Sequence, residues 1–347
     1  MFDALPVFDP QFLLLVLIVL LALAFDYING FHDAANAIAT VVSTRVLSPK
    51  VAVLFGAVLN FAGALAGTEV ALTISKGLVN DSLISLETLL CALLASIVWN
   101  LLTWVWGLPS SSSHALMGSL MGAAAFWVGS VDNSVIHWNK VLDKVVTPMF
   151  SSPMLGFSLG FFLMLGLTWL FYRMNVNHIN RLFSKLQILS AGFMAFHHGT
   201  NDAQKSMGVI ALAVAMYYHI PKEEFAVGWQ IVIPCAIAIG LGTMSGGWKI
   251  IRTIGSKMIK LQPIHGFAAE TTASVLIGYA SHHGIPLSTT HVITSSIMGV
   301  GATKRLSAVK WSLVGSILWA WVLTIPITFL LSGGFVWVYK QVKALLF

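Results

Sequence analysis

The chain has 347 residues, 57% of them hydrophobic and only 9% charged, with a mean hydropathy of +0.85. Soluble domains carry about 25% charged residues, so this composition excludes a water-soluble globular fold. The formal charge of +6 does not indicate nucleic acid, because the basic residues fall in short loops between apolar runs, the pattern that orients membrane proteins.

The apolar runs approach the roughly 20 residues that a membrane helix needs, and the alternation of barrel strands is absent. The expected fold is therefore all-α, a polytopic helical membrane protein. Ala22-Leu23-Ala24 resembles a signal cleavage site, but Asp3 and Asp9 precede the run without any Lys or Arg. An uncleaved first span is expected. In chain order the spans are 11–44, interrupted near Gly30; 51–67; and 84–106 and 114–130, joined by GLPSSSSH. Residues 131–149 read as a surface amphipathic helix, and 154–172 as a span. The second half repeats the order: 186–218, interrupted near Gly199; 229–247; 264–281 and 291–303, joined by HHGIPLSTTH; and 311–331. This divides the chain into an N-terminal repeat (1–172), a basic cytoplasmic connector (173–185) and a C-terminal repeat (186–347). Cys91 and Cys235 lie inside apolar runs without metal-ligand spacing and read as packing residues.

Charge tests the topology. With the N-terminus outside, the twelve Lys and Arg of segments 45–50, 173–185, 249–260 and 304–310 fall inside. Lys76, Lys140, Lys144, Lys222, Lys340 and Lys343 fall outside, and Lys205 stays within a span. The two-to-one bias follows the positive-inside rule. Both termini are then expected outside, and the halves enter the membrane from opposite sides. Inverted repeats of this kind place a substrate site at the midplane of secondary transporters.

Two motifs recur. NGFHDAANAIAT (Asn29–Thr40) aligns without gaps on the stretch around HHGTNDAQKSMG (His197–Gly208), setting Gly30 on Gly199, Asp33 on Asp202 and Asn36 on Lys205. GLPSSSSHALMGSLMG (Gly107–Gly122) aligns on GIPLSTTHVITSSIMG (Gly284–Gly299). In the first motif the glycines can break a helix, and Asn, Asp and Thr beside the break can cap backbone N–H groups or hold a small cation. A carboxylate inside a membrane is usually functional, although Asp33 and Asp202 as plain caps is the competing reading. Asp202 and Lys205 share a helical face and can pair. In the second motif Ser111, Ser112 and Ser113, and Ser288, Thr289 and Thr290, follow a Pro near a helix start. Hydroxyls there stand beside free N–H groups and the positive end of the helix dipole, which suits an oxyanion; hydroxyls that only bond backbone carbonyls are the alternative. His114 and His291 close the motifs as proton-linked groups or as packing residues. Glu270, within an apolar run, is a coupling-cation candidate, whereas Glu69 lies at a span end. His197, His198, His282 and His283 resemble a metal set but read as capping or lining residues, so no resident metal is expected.

On these residues the chain resembles the bacterial form of the PiT family of inorganic phosphate transporters, over nearly its whole length. The resemblance implies an ion-coupled phosphate symporter of two inverted repeats in the cytoplasmic (inner) membrane, often a homodimer. It co-transports H⁺ or Na⁺ and has no cofactor; whether phosphate enters free or as a metal complex stays open. By that resemblance Asp33, Asn36, Asn201 and Asp202 belong to the substrate and cation region, and the Ser and Thr of the second motif contact phosphate. The departures are His32 opposite Asn201, and Gln204-Lys205 opposite Ala35-Asn36, so an asymmetric cation site is expected. A sulfate or other oxyanion permease is the nearest alternative. A membrane metal-dependent hydrolase lacks an HExxH motif and a soluble catalytic domain, and a passive channel fits inverted broken helices poorly.

Overall fold

The computed structural model describes residues 9–221 and 226–346. Asp3 and Lys222, which enter the charge pattern, lie outside the described residues, as does the side chain of Lys76. Among the described residues the protein is almost entirely helical, with one isolated bridge between Val79 and Ile136.

The helices are α1 (Pro10–His32), α2 (Ala34–Ser43), α3 (Pro49–Ala64), α4 (Glu69–Gly77), α5 (Leu86–Trp106), α6 (Ser112–Val128) and α7 (Trp138–Val141). They continue with α8 (Thr147–Phe171), α9 (Val176–Tyr218), α10 (Trp229–Ser245), α11 (Trp248–Arg252), α12 (Pro263–His282), α13 (Thr289–Ala302) and α14 (Trp311–Leu346). Starts follow local chemistry. Asp9 accepts from the Gln11 N–H ahead of Pro10, and proline sits in the first turn of α3 and α12 as well, where its missing N–H costs nothing. Gly107 and Gly284, the aligned glycines that open the second motif, take left-handed φ of 67° and 61°, a region costly for side chains with a Cβ.

Among the described residues four helices are long and apolar enough to cross a membrane: Pro10–Ser43, Leu86–Trp106, Trp138–Phe171 and Trp311–Leu345. A fifth results if α10 and the bent segment after it, at 57°, form one span. Their outer faces carry apolar residues a soluble protein would bury, such as Leu20, Trp106, Phe162 and Trp169. These faces suit lipid tails.

Several boundaries differ from the sequence reading, each for a physical reason. Helix α9 runs unbroken through Gly199 for 43 residues, about 65 Å, and absorbs residues 176–185 of the expected connector. In the first half the helical pattern stops not at Gly30 but at Asp33, with φ −95° and ψ 3°. The two glycines serve close packing instead. A Cβ on Gly30 would lie 2.4 Å from the Ile239 carbonyl oxygen, and one on Gly199 would lie 2.1 Å from that of Asn60. The surface helix expected at 131–149 is also absent as such. Residues 131–137 form a turn, and from Trp138 one helix runs through a π turn at Leu142–Val146 into α8. Helix α14 likewise continues past 331 to Leu346.

The glycine crossings expose the relation between the halves. Three residues before Gly30 stands Tyr27, whose carbonyl oxygen lies 2.1 Å from a Cβ built on Gly242. Three residues before Gly199 stands Phe196, 1.9 Å from one built on Gly63. So α1 crosses α10 as α9 crosses α3. In the same way a Cβ built on Gly122 would lie 2.1 Å from the Phe329 carbonyl oxygen and one on its aligned Gly299 2.0 Å from that of Phe157, which pairs α6 with α14 and α13 with α8. Each helix packs on a partner from the other half. The halves are interlaced rather than set side by side.

Gly199→Ala is accordingly expected to destabilise, since overpacking against rigid backbone costs about 1–3 kcal/mol. The same change at Gly166, which has nothing within 4 Å, is expected to be neutral. Thermal unfolding of the detergent-purified variants checks this, and equal unfolding temperatures would reject the close-crossing account.

Candidate functional site

The interlacing brings the starts of α6 and α13 together. Ser111 caps α6 by accepting from the His114 N–H at 3.2 Å, and Ser288 caps α13 by accepting from His291 at 3.3 Å. The hydroxyl of Ser113 then donates to the Leu287 carbonyl, 3.2 Å away across the gap. Two positive helix ends, each with first-turn N–H groups that its own helix leaves free, therefore meet at one place. Ser111, Ser112, Ser113, Ser288, Thr289 and Thr290 are all buried there.

The aspartates close the same pocket. Asp33, at the break between α1 and α2, takes a 2.7 Å contact from His32 Nδ1 and a 3.4 Å hydrogen bond from the Ser112 hydroxyl. His32 is fixed in turn by Thr103 of α5, 3.0 Å from its Nε2. Asp202, midway along α9, accepts from Lys205 Nζ at 2.5 Å, and from Asn29 and Thr289 at 3.4 Å each. Asn36 donates to both Thr289 and Thr290, at 3.2 and 2.9 Å. Asn201 donates to the Ser281 hydroxyl at 3.0 Å, and its carbonyl oxygen has no partner.

Ligand atoms of Asp33, His198 and Asp202 all lie within 4.8 Å of one another, all buried. Among the described residues this trio is the grouping placed to hold an ion. His198 Nε2 is 3.4 Å from Asp202 but lacks hydrogen-bond geometry toward it and has no other partner. Its Nδ1 is held by Asn60 at 2.9 Å. Of the four histidines read as capping or lining residues, His198 reaches the site, whereas His282 and His283 are exposed.

Other candidates separate. His114 and His291 pack ring to ring, 4.8 Å between centroids, with His291 stacked on Trp321 at 3.9 Å. Both sit in the first turns of α6 and α13, behind the hydroxyls. Glu270 forms a second polar cluster, accepting from Thr40, Ser190 and, at 3.2 Å, Gln187. Thr40 lies one turn beyond Asn36 on α2, so this cluster adjoins the aspartate pocket without sharing its ligands. Glu69 is exposed, as its span-end position suggests. Gln204, the other departure from the first half, caps α4 by accepting from Val70 N–H at 2.6 Å.

The sequence reading missed Asp26 altogether. Neither of its buried carboxylate oxygens has a hydrogen-bond partner, and Ser206 and Cys235 face it. The available signal was a carboxylate in the middle of an apolar run, the same signal used for Glu270. His198, Asn29 and Asn60 left a weaker trace, since buried amides and imidazoles are usual packing residues.

Residues 29–332 match the model of the phosphate transporter family. The chain belongs to that family. A probable low-affinity inorganic phosphate transporter of Rhizobium meliloti (strain 1021) is 45% identical over 323 residues, covering 93% of this chain and 95% of its own. One of Bacillus subtilis (strain 168) is 43% identical, covering 92% and 95%. The solved structure of a sodium-dependent phosphate transporter matches with a TM-score of 0.81 over 95% of this chain and 99% of its own, at 24% identity, which establishes a shared fold. The resemblance drawn from the two motifs is thus borne out. The chain is a multi-pass membrane transporter and not an enzyme.

The Asp202–Lys205 pair is wholly buried. Removing one partner of such a pair costs about 3–5 kcal/mol. Asp202→Asn and Lys205→Met are each expected to lower the unfolding temperature in sodium-free buffer, while the double variant recovers most of the loss. Additive losses in that cycle would show that the two side chains do not act as a pair.

Proposed function

We propose that the chain is a secondary active transporter that takes up inorganic phosphate with a coupled cation across the cytoplasmic membrane. The observation that carries this reading is a charge imbalance. Two helix N-termini lined by hydroxyls offer an oxyanion site, yet two carboxylates within 4.8 Å of each other share that pocket with one ammonium. A phosphate dianion added there leaves net negative charge in a low-dielectric setting. Further cations have to enter with it.

In this reading the motif hydroxyls and Asn201 bind the anion, while Asp33 and Asn36 supply oxygens for the cation and Glu270 provides a further carboxylate one turn away. Lys205 compensates Asp202. His114 and His291, behind the hydroxyls, are the proton-linked candidates. The relatives' names support phosphate as cargo, and the solved neighbour is named as sodium-dependent. The basic loops support cytoplasmic placement of segments 45–50, 173–185, 249–260 and 304–310, with both termini outside.

Purified protein in proteoliposomes tests coupling. Uptake is expected to concentrate phosphate only under an imposed cation gradient, and Asp33→Asn is expected to abolish that concentration while the protein stays folded. Gradient-independent flux would instead identify a channel.

Selectivity follows from the carboxylates. Phosphate keeps one or two protons at neutral pH and can donate to Asp33 or Asp202, whereas sulfate has none to give. An unpaired buried acceptor costs about 1–3 kcal/mol, or roughly ten- to a hundredfold in affinity. Arsenate is therefore expected to inhibit labelled phosphate uptake strongly, and equimolar sulfate weakly. Equal inhibition would remove the aspartates from the anion shell and favour a general oxyanion permease.

A further inference from the structure

The two halves agree at a glycine and an aspartate of the pocket and differ at others, among them Asn29 opposite His198 and His32 opposite Asn201. Gly30 matches Gly199 in sequence and in packing, and Asp33 matches Asp202 in sequence. Asn36, however, is matched by Lys205. On the first-half side the Asn36 amide nitrogen is engaged by Thr289 and Thr290, and its carbonyl oxygen is buried without a partner. Among the described residues Asp33 Oδ2, three residues before it, meets only the Ser112 hydroxyl at 3.4 Å, and amide and carboxylate oxygens are ligands that hard cations take. On the second-half side an ammonium already stands 2.5 Å from Asp202 Oδ1 and 3.5 Å from the Leu287 carbonyl oxygen. A carboxylate and a backbone carbonyl are themselves cation ligands. Asp26 and His114 also face Lys205 electrostatically.

We propose that the Lys205 ammonium is a tethered substitute for a cation in the second half, so that Asp202 holds no exchangeable cation and cation binding is confined to the Asp33 side. Charge carries this choice: within the Asp33, His198 and Asp202 grouping, Asp202 is the member already met by an ammonium. Lys205 is fully buried, and a free cation placed on Asp202 beside it would put two like charges within a few ångström in a desolvated pocket. A tethered charge does not leave when the site opens, so it adds nothing to the driving force. Fewer charges move per phosphate than two equivalent cation sites would give. The inference rests on the cation-coupled reading for its transport consequence, but its binding consequence stands apart.

Lys205→Asn restores the first-half residue and Lys205→Gln gives a longer amide. Each is compared with the unaltered protein by thermal unfolding in 100 mM sodium chloride and in 100 mM choline chloride. Both variants are expected to gain sodium-dependent stabilisation beyond any the unaltered protein shows, about 2–4 °C if sodium binds near 10 mM. In proteoliposomes the potential at which uptake reverses should shift by one additional positive charge per phosphate. Equal behaviour of the variants in the two salts, folded or not, overturns the tethered-cation assignment. If instead the unaltered protein shows gradient-independent flux while the variants still gain sodium stabilisation, the coupling reading fails and this assignment survives.

Discussion

Two carboxylates held within 4.8 Å of each other and away from water are the constraint around which the rest of this protein is organised. Like charges at that separation repel strongly in a low dielectric, and burial alone would drive them to neutralise or separate. The fold answers with one ammonium, two imidazoles, three amides and a ring of hydroxyls. It also aims two helix N-termini at the same place. Several of the polar residues that interrupt the apolar runs contact Asp33 or Asp202, or hold the groups that do: Thr103 fixes His32, and Asn60 fixes His198.

Holding that pocket together takes close helix crossings. The pocket is assembled from α1, α2, α6, α9 and α13, which belong to both halves of the sequence. Glycines at positions 30, 63, 199 and 242 let carbonyl oxygens approach where any side chain would collide. In a bilayer such contacts carry much of the stability, because lipid tails are as apolar as the helices and expulsion from water no longer favours association. Interlacing also reaches the two helix starts: α6 and α13 are each backed by a long helix from the opposite half, α14 and α8.

The near-symmetry also makes its violations informative. Gln204 replaces an alanine and spends its side chain capping α4. Lys205 replaces an asparagine and compensates Asp202. Asp26 has no carboxylate counterpart, since Ala195 stands at its aligned position. All three sit on or face α9, the helix that stays unbroken while its counterpart is interrupted at Asp33. The asymmetry thus gathers around α9, while the first half carries the amide and the break.

What the sequence by itself determined was the class, the paired motifs and the residues of the candidate site. Hydropathy required a helical membrane protein, because only helices and closed barrels satisfy their backbone in lipid. The paired motifs singled out Asp33, Asp202, Lys205 and the Ser and Thr clusters, because polar residues in apolar runs are too costly to be incidental. What the tertiary structure decided was how the halves engage. A glycine reads the same in a sequence whether it breaks a helix or admits a neighbour's carbonyl, and only the neighbour at Asn60 shows why α9 runs straight through Gly199. His198 and Asn29 likewise became site residues only when another helix brought Asp33 and Thr289 up to Asp202, a proximity between distant segments that no local pattern encodes.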